Sequence, residues 1–110
     1  MKLPNAERAF INIEKLRGYC LSLDHPRGKY KARLFASLLG LTADNSEALR
    51  DAILEAALIS EAVPYDKDAF GQRYIVDFQM IGDSKSVNIR SAWIIRTGED
   101  FPRLTSCYIL

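Results

Sequence analysis

Two stretches of alternating side chains, separated by one short turn sequence, dictate much of what this chain can become. Tyr74, Val76, Phe78 and Met80 alternate with Arg73, Ile75, Asp77 and Gln79, and Val87, Ile89, Ser91, Trp93 and Ile95 alternate with Asn88, Arg90, Ala92, Ile94 and Arg96. A two-residue period is that of a strand with one buried face. Between them, Gly82-Asp83-Ser84-Lys85 is a hairpin turn sequence. Placing Gly82 opposite Lys85 sets Asp77 opposite Arg90 and Tyr74 opposite Trp93. The two apolar faces then coincide, as a stable register requires.

The residues before this hairpin read as helical. Arg8 to Ile11 is expected as a short strand, and Asn12 as the cap of a helix over about Ile13–Ser22. His25-Pro26 breaks the chain, Gly28 permits the turn, and a second helix is expected from about Lys29 to Leu39, stopped by Gly40. Thr42 to Ser46 is a turn and cap before a third helix over Glu47–Ile59, with Leu49, Ile53, Ala56 and Ala57 at helical spacing. After a loop at Gly98 to Arg103, Leu104 to Leu110 is expected as a last strand. The fold class is therefore α+β, with three N-terminal helices packed on a three- to four-stranded antiparallel sheet. The expected organisation is one domain over residues 1–110, with a helical half over about 1–62 and a meander over about 70–110.

With 110 residues and 48% hydrophobic content, the chain can close one core without disulfides or metal. A formal charge of +1 argues against coating nucleic acid with the whole surface, so any phosphate contact must be local. Cys20 and Cys107 fit reduced core thiols rather than a redox pair or zinc knuckle. No apolar run has the length of a signal peptide or membrane span, so the expectation is a cytoplasmic protein without membrane partners. The sequence lacks the GxGxxG and GxxxxGK phosphate loops, CxxC, HExxH and GxSxG. A Cys107 and His25 nucleophile pair is formally available but has no local support. No cofactor and no metal are expected.

Chemistry concentrates in His25 to Phe35. This segment holds the only histidine and four of the fifteen basic residues, and no acidic residue occurs from His25 to Ala43. One histidine can serve as a general acid or base beside cations that attract phosphate. On a wheel at roughly 100° per residue, Tyr30, Ala32, Leu34, Phe35, Leu38 and Leu39 share a broad apolar arc, with Lys29, Arg33 and Ser37 opposite and Lys31 inside the arc. That places Lys31 in a wet cleft, beside a carboxylate, or snorkelling to water. One reading is a phosphate pocket of His25, the Gly28 turn, and Lys29 or Lys31 at a helix N-terminus. The other is a solvated charged face, including Arg27 and Arg33, with a histidine that caps a turn.

The second half of a site lies on the sheet. Arg73, Asp77, Asn88, Arg90 and Arg96 project from the face opposite Trp93. Arg90 can bind phosphate or stabilise transition-state charge, aided by hydroxyls of Thr105, Ser106 or Tyr108. Equally, Asp77 and Arg90 can be a cross-strand ion pair worth at most about 1 kcal/mol. Ser91 falls on the apolar face, where its hydroxyl needs a partner.

The segments LPNAERAFINIEKLRGYCLSLDHPRGKYKARLFASLLGLT, FGQRYIVDFQM and RSAWIIRTGEDFPRLTSCYIL resemble a bacterial domain family of unknown function over nearly the whole chain. The resemblance implies a small domain that occurs alone beside a small partner gene, or at the C-terminus of polymorphic toxins. The layout is also similar to the barnase, EndoU, colicin and RelE group of metal-independent ribonucleases. That likeness implies RNA as substrate, with 2′-hydroxyl attack on the adjacent phosphorus. His25 would be its acid or base, Lys29, Lys31 and Arg90 its phosphate ligands, Thr105 or Tyr108 its positioning groups, and Arg27, Arg33, Arg73 and Asp77 its binding surface. The alternative is a non-enzymatic protein-binding module of a toxin–antitoxin locus, which meets its partner through the Arg-rich sheet face or the strand edge at Leu104 to Leu110. A small antitoxin or immunity protein is the expected partner in either case, and a homodimer is compatible with both.

Overall fold

The computed structural model describes residues 1–83 and 85–110. Four strands, β1 (Ala62–Asp68), β2 (Gly71–Ile81), β3 (Ser86–Arg96) and β4 (Arg103–Ile109), form an antiparallel sheet in the order β1-β2-β3-β4. Asp77 lies opposite Arg90 and Tyr74 opposite Trp93, the register that the alternation demands. The Gly82 N–H donates to the Lys85 carbonyl at 2.8 Å. Ser84, part of the expected turn, lies outside the described residues.

Helices precede the sheet, but the first is not the α-helix expected over Ile13–Ser22. One turn, α1 (Ile13–Lys15), is capped by Asn12 Oδ1, which accepts the Glu14 N–H at 3.0 Å, and it widens into a π-helical segment at Leu16–Cys20. The Leu21 N–H reaches back to the Leu16 carbonyl at 2.7 Å. This wider turn brings Leu16, Cys20 and Leu21 into the core together, each no more than 2% exposed, while Gly18 weakens the α-helical alternative.

Helix α2 (Lys29–Leu39) ends where Gly40 adopts φ 65°. The Gly40 and Leu41 N–H groups then close on the carbonyls of Ala36 and Phe35, an αL termination that a side chain would strain. Of the broad apolar arc expected on α2, Ala32 and Phe35 are buried, whereas Tyr30, Leu34 and Leu38 remain exposed. Helix α3 (Ser46–Ile59) follows a 3₁₀ turn, Ala43–Asn45, at which Thr42 and Asn45 cap each other's backbone. It buries Leu49, Ile53, Ala56 and Ala57. Arg17 ties the π segment to α3 through Ser46 Oγ at 3.1 Å and Glu47 at 2.8 Å.

Two further expectations are corrected. The meander begins at Ala62 rather than near residue 70, because β1 follows α3 almost directly. Pro64 and an exposed Asp66-Lys67 pair disguise it, yet a proline is tolerated on an edge strand, and the register shifts between Pro64 and Lys67. The strand expected at Arg8 to Ile11 is instead a 3₁₀ turn, Ala6–Arg8, plus an isolated parallel bridge from Phe10 to Arg103. That bridge covers part of the β4 edge, since the Phe10 N–H donates to Pro102 O and Leu104 donates to Phe10 O.

The core lies between the helices and one sheet face, with Leu16, Phe35, Leu49, Ile53, Val76, Ile89 and Trp93 all fully buried. Ser91 shares that face and is satisfied there: its hydroxyl donates to Val76 O at 2.7 Å and accepts from Trp93 Nε1 at 2.9 Å. Strand parity sends Asp77, Arg90 and Tyr108 to the opposite, more polar face.

Candidate functional site

The His25-Pro26-Arg27-Gly28 turn builds one end of the site. His25 Nδ1 accepts two backbone N–H groups, from Arg27 at 3.1 Å and Gly28 at 3.0 Å. Its carbonyl accepts the Lys29 N–H at 3.0 Å, so the histidine organises the start of α2. With Nδ1 an acceptor, the neutral ring carries its proton on Nε2. The ring stands edge-on to Tyr19, with centroids 4.6 Å apart and planes at 71°. Gly28 is required for space: a Cβ there would lie 2.8 Å from the Tyr19 carbonyl oxygen.

Between the π-helical segment and β4 lies a cleft of about 490 Å³. It is lined by Asn12, Glu14, Lys15, Gly18 and Tyr19 of the first helical segment, by His25, and by Thr105 and Ser106 of β4. Thr105 occupies the extra position where the β3–β4 register shifts, and its hydroxyl donates to Ala92 O at 3.0 Å. Glu14 is well exposed and reaches Arg17 at 3.3 Å. Asn12, Glu14, Lys15 and Tyr19 extend the site beyond the functional candidates that the sequence singled out, whereas Ser106 is among the candidate hydroxyls. Lys15 and Tyr19, four positions apart, share one helix face, and that spacing was the available signal for them.

Tyr108, two residues beyond Ser106 on the same face of β4, lies opposite Arg90 in the ladder. The Lys31 ammonium sits 4.1 Å from its ring centroid, a cation–π distance, so Lys31 reaches a half-buried aromatic of β4 rather than the core. Arg90 grips Asp77 with two hydrogen bonds of 2.9 Å. That carboxylate, with Tyr108 assisting, raises the guanidinium further above its ordinary range. Lys31, Tyr108, Arg90 and Asp77 therefore form a continuous line, and β4 joins it to the cleft holding His25 and Thr105.

The remaining cations divide into two groups. Arg73 is paired with Asp68 at 2.6 Å, as Arg8, Arg17 and Arg103 are paired with Asp100, Glu47 and Glu99. Arg27, Lys29, Lys31 and Arg33 have no carboxylate partner among the described residues. Lys29 and Arg33 instead flank the Tyr30 ring.

Burial raises the Cys20 thiol and raises that of Cys107 well above the ordinary range, so neither is an activated nucleophile. Among the described residues, no cluster of three or more His, Cys, Asp or Glu side chains could hold a metal ion, and no helix is long and apolar enough to cross a membrane.

No curated protein matches the sequence. A solved chain from a contact-dependent growth inhibition toxin–immunity protein complex of Klebsiella pneumoniae 342 shares the fold. The TM-score is 0.68 at 18% identity, over 91% of this chain and 98% of that chain. The model of a family described as "Domain of unknown function (DUF6883)" matches residues 2–110, and the chain belongs to that family.

Proposed function

We propose that this chain is the toxin of a toxin–immunity pair, a metal-independent endoribonuclease that acts on cytoplasmic RNA. The observation that carries the reading is the cleft itself, lined by a carboxylate, an ammonium, an imidazole and the hydroxyl-bearing Tyr19, Thr105 and Ser106. The fold shared with a chain of a toxin–immunity complex supplies the context. Glu14 takes the proton of the RNA 2′-hydroxyl, and that oxygen attacks the adjacent phosphorus in line. His25 Nε2–H stabilises the charge on the non-bridging oxygens. A neutral imidazole N–H is too weak an acid to serve the leaving group, so the Lys15 ammonium protonates the departing 5′-oxygen. The products are a 2′,3′-cyclic phosphate and a 5′-hydroxyl. Lys29, Lys31 and Arg90 hold flanking phosphates, while Thr105 and Tyr108 position them.

A second reading is favoured by one observation: Arg73 and Arg90 are neutralised by Asp68 and Asp77. The open sheet face is thus a mixed-charge surface, which suits a non-enzymatic protein-binding module. Purified wild type, Glu14→Gln, His25→Ala and Arg90→Ala, incubated with total cellular RNA in EDTA, separate the two. Cyclic-phosphate ends with wild type, and loss of at least about 100-fold in Glu14→Gln, are expected for the ribonuclease. Intact RNA in every tube, with folded protein, transfers the site to the binding module.

A further inference from the structure

We infer that Tyr30 is a stacking platform for an unpaired nucleobase of the RNA strand outside the cleft. The inference rests on the ribonucleolytic reading and assigns it single-stranded substrate. Tyr30 is 62% exposed although it occupies an apolar position of α2. Lys29 Nζ and Arg33 Cζ lie 5.2 and 5.4 Å from its ring centroid, and neither cation has a carboxylate partner among the described residues. The other cation–aromatic contacts differ: Arg103, beside Phe10 and Phe101, is bound by Glu99 through two 2.9 Å hydrogen bonds, and Tyr108 carries only Lys31 over its ring while its side chain also meets Arg90.

An exposed ring between two free, flexible cations is the combination that binds single strands. The base covers a ring face, and the cations swing to the phosphates on either side. Lys29 immediately follows the turn that His25 caps, and its N–H donates to the His25 carbonyl at 3.0 Å, so the platform adjoins the His25 turn in the chain. A docking site for an acidic protein would draw equally on the whole ridge of Tyr30, Leu34 and Leu38. Leu34 and Leu38, each 41% exposed, are less open than Tyr30, and the cations gather on Tyr30.

The test is fluorescence anisotropy with a labelled, fully 2′-O-methylated oligouridylate, which lacks the nucleophile and stays intact. The strand is used alone and annealed to its complement. Tyr30→Ala is expected to weaken single-strand binding roughly ten-fold or more, within the range for one base stacked on an aromatic ring. Tyr30→Phe is expected within about two-fold of wild type, and Leu34→Ala is expected unchanged. The duplex should bind wild type and Tyr30→Ala alike, and thermal melts should coincide because the residue is exposed. Single-strand binding unaffected by Tyr30→Ala, or an equal loss on the duplex, overturns the platform. An equal loss in Leu34→Ala also overturns it and points to the protein-docking ridge. Wild type that binds the strand but leaves natural RNA intact ends the ribonuclease reading and keeps the platform. Wild type that cleaves, with Tyr30→Ala binding normally, does the reverse, and no binding by wild type overturns the platform while cleavage of natural RNA still decides the ribonuclease reading.

Discussion

Replacing Ser91 with alanine tests the buried polar network at the centre of the sheet. Ser91 and Trp93 are both fully buried, and the Ser91 hydroxyl accepts the indole N–H at 2.9 Å while donating to Val76 O at 2.7 Å. Ser91→Ala leaves the indole N–H without a partner in an apolar interior, at a cost of about 1–3 kcal/mol. Unfolding entropy near 2.1 cal/mol/K per residue, over 110 residues, gives about 0.23 kcal/mol/K. A central loss of about 2 kcal/mol therefore lowers Tm by about 9 °C.

A double-mutant cycle assigns that loss to its cause. In a Trp93→Phe background the donor is gone, so Ser91→Ala should cost only the bond to Val76, about 0.5–1 kcal/mol. Melts followed by circular dichroism supply all four corners. On the ribonuclease reading, RNA cleavage well below either melt is expected to be unchanged by Ser91→Ala, since the hydroxyl faces the core. A Tm drop under about 3 °C, or the same drop in both backgrounds, refutes the reasoning.

Three further outcomes follow from the geometry. Gly28→Ala brings a Cβ to 2.8 Å from Tyr19 O, so it should destabilise by about 1–3 kcal/mol in urea melts and, on the ribonuclease reading, impair RNA cleavage more than an equally destabilising core variant does. Asp68, Glu99 and Asp100 are held below their ordinary values, chiefly by the Phe70 N–H, Arg103 and Arg8 respectively. A depressed carboxyl stabilises above its unfolded pKa and loses that contribution as pH falls, so Tm should be flat from about pH 7 to 5 and fall below about pH 4. Cys20 and Cys107 are buried and unpaired with each other, so native protein should resist a thiol-reactive dye that labels both cysteines in urea.

The sequence made β2 and β3 legible because their alternation runs unbroken on both sides of the turn, and one turn pairing then sets the whole register. It hid β1 because an edge strand with a proline and an exposed, charged sequence carries no period. The first helix misled for a different reason. Leu16, Cys20 and Leu21 satisfy a helical pattern, but the pattern does not say that the backbone widens to bury all three. At the site, the cations of α2 and the Asp77 and Arg90 pair were visible as residue types. A histidine that caps a turn is one of the readings the sequence allows and is what the structure shows, but the choice of Nδ1 was not legible, because only the folded turn decides which ring nitrogen accepts.

Strand β4 shows how one local irregularity couples the core to the candidate site. Strict alternation from Leu104 would group Leu104, Ser106 and Tyr108 on one face, and Thr105, Cys107 and Ile109 on the other, so each face would mix polar with apolar residues. The observed pairing sets Leu104 opposite Trp93 but Ser106 opposite Ala92, leaving Thr105 as an extra residue. This bulge reverses the parity beyond it. Leu104, Cys107 and Ile109 all reach the core, each no more than 8% exposed. Ser106 and Tyr108 turn to the opposite face, where Tyr108 meets Arg90 and Lys31. Thr105 binds the Ala92 carbonyl and borders the cleft with His25. Packing of the apolar residues with Thr105 in place thus requires the bulge. Deleting Thr105 would leave Leu104, Cys107 and Ile109 on one face by simple alternation, with Ser106 and Tyr108 on the other, so the core should survive the deletion while the cleft loses the Thr105 hydroxyl.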